Sequence, residues 1–180
     1  NQIIGKIAKI ASLTEIAHED EFIVTLSQQN VIKRISFADY ANDKTIIKPN
    51  STKDFTRFST VSSNSHFLLF FTNKGNCYPL RTSFVPAANG NADGTSLGRL
   101  VSLKKNETIV SMIAVPKFED TQFIMLGSVE GQVKRLTLST LSKQKDGGME
   151  VMGLKGKDEV VAAFQTDGNR EVIIGTAHGM

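Results

Sequence analysis

Four stretches of this chain repeat one pattern of apolar and polar positions. They read FIVTLSQQNVIKRI from Phe22, FLLFFTNKGNCYPL from Phe67, FIMLGSVEGQVKRL from Phe123, and EVIIGTAHGM from Glu171 to Met180. Aligned without gaps, Ser27, Thr72, Ser128 and Thr176 share one column, 45, 56 and 48 residues apart. Asn30, Gly75, Gly131 and Gly179 share another. The apolar runs predict strands at residues 22–26, 67–71, 123–127 and 172–175. A tight turn follows each, because Gly, and Asn as its best substitute, accept the positive φ of a hairpin. Return strands are predicted at 31–37, 76–80 and 132–138. A weaker pattern lies between the hairpins: LVSLKKNETIVSMIAV from Leu100 resembles EVMGLKGKDEVVAAFQT from Glu150. Each reads as two short strands around a charged turn, and a similar pair is expected around residues 48–61. Two hairpins per unit give four strands, the count of one propeller blade, and a β-type repeat near 50 residues predicts a propeller-like array. The chain is therefore expected to be all-β, with three to four blades over residues 21–180 after a lead-in at 1–20.

The connections are polar and glycine-bearing, as in AANGNADG from Ala87 and SKQKDGG from Ser142. Helix signals are few: SFADYAND supports one turn, and Ser12 could cap a short helix over 12–21. The sequence stops one residue past Gly179, before the return strand that the other copies carry, so the array is expected to continue beyond residue 180.

Composition narrows the chemistry. The chain has 180 residues, 40% hydrophobic and 22% charged, which suits one folded domain. No apolar run approaches the ~20 residues of a membrane span, and a single cysteine, Cys77, excludes an internal disulfide. Cys77 reads as a small buried strand residue. His18, His66 and His178 stand alone among polar loop residues, and no zinc spacing, phosphate loop or dinucleotide fingerprint occurs. The acidic run Glu19, Asp20, Glu21 reads as a solvated lead-in. No catalytic and no metal-binding residues are expected.

The cations carry the functional case. Net charge is only +3, from 21 Lys and Arg against 18 Asp and Glu. Yet Lys33-Arg34 and Lys134-Arg135 occupy matching positions on two return strands. Neighbouring strand residues point to opposite faces, so one cation of each pair can face outward and the other a neighbouring blade or loop. Cations spaced around a disc suit the phosphates of duplex DNA, with salt-sensitive binding that ignores sequence. The second copy breaks the rule, with Tyr78-Pro79 in these columns and Arg81 nearby. Pro79 removes a strand donor, so its strand should be an edge or bulged there. The candidate DNA contacts are Lys33, Arg34, Lys74, Arg81, Arg99, Lys104, Lys134, Arg135 and Lys155.

These hairpins, and the order TSLGRLVSLKKNETIVSMIAV then FIMLGSVEGQVKRLTLSTL, resemble the C-terminal domain of bacterial type IIA topoisomerase A subunits, over about residues 21–180. The resemblance implies a β-pinwheel whose blades exchange strands, with a basic outer rim that binds and bends duplex DNA. It also implies a bacterial, cytoplasmic, nucleoid-associated parent that pairs with itself and with an ATPase partner chain, uses ATP and Mg through other domains, and serves chromosome segregation. The family's catalytic tyrosine follows an arginine; Tyr40 and Tyr78 do not, so no cofactor and no strand cleavage are expected of this piece. Gyrase members carry a Gln-Arg-Arg-Gly-Gly-Lys-Gly heptapeptide after the first return strand. Here SFADYANDKTIIKPN stands in that place, so a topoisomerase IV member is expected, with a gyrase wrapping domain as the alternative. A protein-binding propeller, marked by an apolar or mixed patch, and a propeller enzyme are the rival classes.

Overall fold

A computed structural model of the chain describes residues 21–88, 92–143 and 148–169. The lead-in, the predicted helix over 12–21 apart from Glu21, and the fourth repeat lie outside the described residues. Strands dominate the described residues. β1 (Glu21–Ser27) and β2 (Val31–Ser36) form the first hairpin, β4 (Phe67–Thr72) and β5 (Asn76–Arg81) the second, and β8 (Phe123–Ser128) and β9 (Val133–Thr137) the third. β3 (Thr56–Ser63), β7 (Ile109–Val115) and β11 (Val160–Thr166) each pair antiparallel with the first strand of a hairpin.

The fourth strands come from elsewhere. β6 (Thr95–Ser96) follows the second hairpin in the chain but pairs with β2 of the first sheet. β10 (Met149–Glu150) follows the third hairpin but pairs with β5 of the second. The sheet orders are β3-β1-β2-β6, β10-β5-β4-β7 and, among the described residues, β11-β8-β9. The expected count of four strands holds for the first two sheets, but not by two hairpins per unit. Each inter-hairpin motif supplies one full strand after its charged turn. Its leading half is not a strand, and the two-residue strand exchanged to the preceding sheet comes from ahead of it, at Thr95–Ser96, or at its very start, at Met149–Glu150. This is the blade exchange that the family resemblance implied.

The turn columns behave as their chemistry requires. Asn30, Gly75 and Gly131 have φ of 60°, 77° and 81°. The Ser27, Thr72 and Ser128 hydroxyls each accept from the backbone N–H four residues on, at 3.1, 3.3 and 3.1 Å. The repeated hydroxyls therefore tie the hairpin turns. The sheets stack through alternate faces. Leu68, Phe70 and Tyr78 pack with Val24, Leu26 and Ile32 of the first sheet; Leu69, Phe71 and Cys77 pack with Ile124 and Leu126 of the third. Each such side chain contributes about 1.5–3 kcal/mol on burial. The other face of the first sheet, Ile23 and Ile35, is covered by α1 (Phe37–Asn42) and the 3-10 turn Lys44–Ile47. α1 is the single turn expected there. Its N-cap is Ser36, whose hydroxyl accepts from Asp39 N at 3.0 Å.

β7 packs against both β3 and β11. These three strands therefore lie nearest the axis of the array, and β2, β5 and β9 lie on its outer side.

Candidate nucleic-acid interface

An acidic side chain closes the turn end of each of the three sheets. Glu107 is buried and accepts from Thr72 Oγ1 (3.0 Å), Asn76 Nδ2 (2.5 Å), Tyr78 Oη (2.5 Å) and Lys104 N (2.8 Å). Burial alone would raise its pKa, but these donors outweigh burial and hold the carboxyl below its ordinary value. Asp158 is its counterpart in the third sheet, accepting from Glu130 N at 3.0 Å and Gln132 Nε2 at 3.1 Å. Asp54 is the counterpart in the first, accepting from Gln29 N at 3.1 Å. These carboxylates are structural latches. The two inter-hairpin motifs, aligned with Lys104 over Lys155, set Glu107 over Asp158, and Asp54 falls inside the weak pair expected at 48–61.

The cations divide into three groups. Lys33 is 2% exposed. Its Nζ donates to Lys48 O at 3.0 Å, Asn50 Oδ1 at 3.1 Å and Ile46 O at 3.5 Å. Desolvation lowers its pKa, partly offset by Asp93. Lys33 is thus no phosphate contact but a peg holding residues 44–50 against β2, and the expectation for it is corrected. Its strand position points it at that segment, the alternative that alternation allowed for one member of each pair.

A second group lies at the turn end. Lys74 is exposed at the hairpin turn, but its ammonium is ion-paired with Glu159 of the next sheet at 2.7 Å. Lys104 and Lys155 open the tight turns at 104–107 and 155–158, and Arg99 ends the 3-10 turn Leu97–Arg99; all three are exposed.

The third group lies on the outer return strands, toward the opposite end. Arg34, Arg81 and Arg135 sit over the rings of Phe22, Phe67 and Phe123, with the guanidinium carbon 4.5, 4.8 and 4.8 Å from the ring centroid. The three phenylalanines are the first residues of the aligned copies. Arg34 and Arg135 stand opposite Val24 and Met125, one strand step diagonal to their rings, whereas Arg81 stands directly opposite Phe67. Pro79 holds the column of Arg34 and Arg135. Two residues later the chain returns to the same face, so Arg81 restores the cation that the second copy had lost. The expected edge at Pro79 is also found: β10 pairs only with Asn76 and Cys77, leaving Pro79 without an outer strand partner among the described residues. Lys134 and Arg135 are exposed, while Arg34 is half-buried and its Nη1 donates to Asn64 Oδ1. The arginines were named from the sequence. The rings beneath them were missed, although the repeated initial Phe was the available signal.

No group of three or more His, Cys, Asp or Glu that could hold a metal occurs among the described residues. Cys77 is buried, and burial pushes its thiol pKa up. No helix of the described residues is long and apolar enough to cross a membrane.

Known proteins share this arrangement. The C-terminal domain of DNA topoisomerase IV superposes with a TM-score of 0.73 over 85% of this chain and 48% of that one, at 24% identity. The ParC C-terminal domain of E. coli gives 0.66 over 80% and 56%, at 17% identity. These two likenesses establish the fold. Among curated proteins, the DNA gyrase A protein of Staphylococcus epidermidis is 33% identical over 171 residues, 91% of this chain and 19% of the relative. The DNA gyrase A protein of Lawsonia intracellularis is 28% identical over 183 residues, 99% of this chain and 22% of the relative. The chain thus spans about one fifth of the length of these relatives. The sequence model of the DNA gyrase C-terminal domain, beta-propeller, matches residues 66–116 and 122–167. With the strand-exchanged sheets and the repeated hairpin columns, that match over more than half of the chain shows that it belongs to this family, the C-terminal domain of type IIA topoisomerase A subunits.

Proposed function

We propose that this domain binds duplex DNA along its outer side by phosphate contacts, without reading bases, and bends it for a type IIA topoisomerase. The observation that carries the reading is the pair of exposed arginines on successive outer strands, Arg81 and Arg135, each stacked on the first phenylalanine of its hairpin. Bending 20–30 bp costs on the order of 1–6 kcal/mol, so several contacts must act together. The parent protein would pair with itself and with an ATPase partner chain, and supply ATP and Mg chemistry from other domains. This domain would contribute DNA geometry, not strand cleavage, inside a bacterial cytoplasm.

The test is binding to a duplex of about 30 bp of arbitrary sequence at several salt concentrations. Affinity that falls steeply with salt and is equal across sequences supports the proposal. No binding at low salt sinks it and leaves the protein-docking reading.

For the parent, the names of the relatives favour gyrase over the topoisomerase IV member expected from the sequence, and a gyrase-type wrapping domain is our first reading. One observation supports topoisomerase IV as the second: residues 36–50 fold as α1 and a 3-10 turn and contain neither arginine nor glycine. Relaxing a closed circle with a nicking-closing enzyme in the presence of the domain separates them. Wrapping leaves a shifted linking number, and bending alone leaves none.

A further inference from the structure

Resting on the DNA-binding reading, we propose that Phe67 and Phe123 are positioning residues that fix Arg81 and Arg135 as the phosphate forks of the second and third sheets. The first sheet's equivalent, Phe22–Arg34, is closed and contributes little. A free arginine side chain loses rotamer entropy when it grips a phosphate. A guanidinium laid on a ring is already restrained in one plane, leaving N–H groups at its edge for a bidentate grip.

The rings are themselves braced. Phe67 lies against Phe118, with centroids 4.8 Å apart. Phe123 lies against Gly168, where φ is +83° and an added Cβ would stand 3.0 Å from the ring. Both arginines are exposed. Arg34 differs although its stacking is the same. It is half-buried, its Nη1 is engaged by Asn64, and its Nε is buried without a partner among the described residues. Lys74 is engaged by Glu159. Lys104 and Lys155 occupy the turn end of the blades, away from this track.

The experiment measures duplex affinity against salt for variants whose melting curves match the parent at the assay temperature. Phe67→Leu with Phe123→Leu should weaken binding about tenfold, about threefold per ring, with the salt slope unchanged because both charges remain. The Phe→Tyr pair, which keeps both rings, should restore parent affinity. Arg81→Ala with Arg135→Ala should lower the slope by about 1.8, whereas Arg→Lys should keep the slope and lose affinity. Phe22→Leu and the pair Lys104→Ala, Lys155→Ala should each stay within about twofold of the parent, well inside the change that a lost contact gives. If the parent binds but the Phe→Leu pair binds equally well, or the turn-end lysine pair carries the loss, this inference is overturned and the function stands. If the parent fails to bind at low salt, both fall.

Discussion

Gly75 and Gly131 hold the same column, the same turn and nearly the same φ, yet alanine should cost them very different amounts. Both substitutions force an L-residue into left-handed backbone, about 1 kcal/mol each. Around Gly131 nothing among the described residues lies within 4 Å of an added Cβ, so the cost should end there. At Gly75 the Cβ would stand 2.1 Å from the Met152 carbonyl oxygen, and a backbone atom can yield only if its segment moves. That segment directly follows the strand exchanged into the second sheet. Val151 N and Met152 N both donate to Gly75 O, at 2.8 and 3.1 Å. Losing both bonds costs about 2 kcal/mol. Val151 and Met152 are buried in the core between the second and third sheets, and partial exposure of the pair adds about 1–3 kcal/mol. Gly75→Ala should therefore destabilise by about 4–6 kcal/mol and Gly131→Ala by about 1 kcal/mol. Urea unfolding of the two variants reads this difference from the midpoints. A lower m-value for Gly75→Ala would show that the exchanged segment has already left the native sheet. Equal midpoints would refute the argument that exchange, rather than turn geometry, makes this glycine costly to replace.

Three further outcomes follow from buried groups. Lys33→Met should destabilise by about 2–3 kcal/mol by stripping the donor from Lys48 O and Asn50 Oδ1, and amides 44–50 should exchange faster in hydrogen-exchange mass spectrometry. Its DNA affinity should equal the parent's, and a loss comparable to that of the Arg81 and Arg135 variants would return Lys33 to the interface. Burial, and then the Glu107 carboxylate, push the Tyr78 phenol up to about 12. The raised value favours the neutral form in the fold, so this contribution is fully present below the ordinary tyrosine value and fades as pH rises from about 10 toward 12. Urea midpoints of Tyr78→Phe should fall less than the parent's over that window, and parallel falls would exclude the mechanism. The Cys77 thiol, buried with its pKa raised, should react with maleimide only as fast as the protein opens, so its labelling rate should rise with urea; immediate labelling of the native protein would contradict its burial.

What the sequence made legible is what one unit decides alone. The apolar run, the hydroxyl and the glycine lie within a dozen residues of one another, and their bonds close inside the hairpin. The bulges near the starts of β3, β7 and β11, at Arg57, Val110 and Val161, left no such signal. Neither did the strands Thr95–Ser96 and Met149–Glu150, since two residues carry no period. Lys33 shows where local reading fails. It shares a column with Tyr78, eleven residues past the initial Phe of each copy, and both are buried against a positive-φ glycine that leads the exchanged strand. Gly94 would place a Cβ 2.8 Å from Lys33 Cγ, and Gly148 one 2.6 Å from the Tyr78 ring. The cover arrives from the connection after the next hairpin, some sixty to seventy residues downstream. Lys134 is the third member of the column and is exposed among the described residues, where its sheet shows three strands. Burial in this column thus follows from what a distant segment lays over it, not from the residue that stands there. That is why the neighbouring arginine, whose place depends on a ring within its own hairpin, is the better guide to the DNA track proposed for this surface.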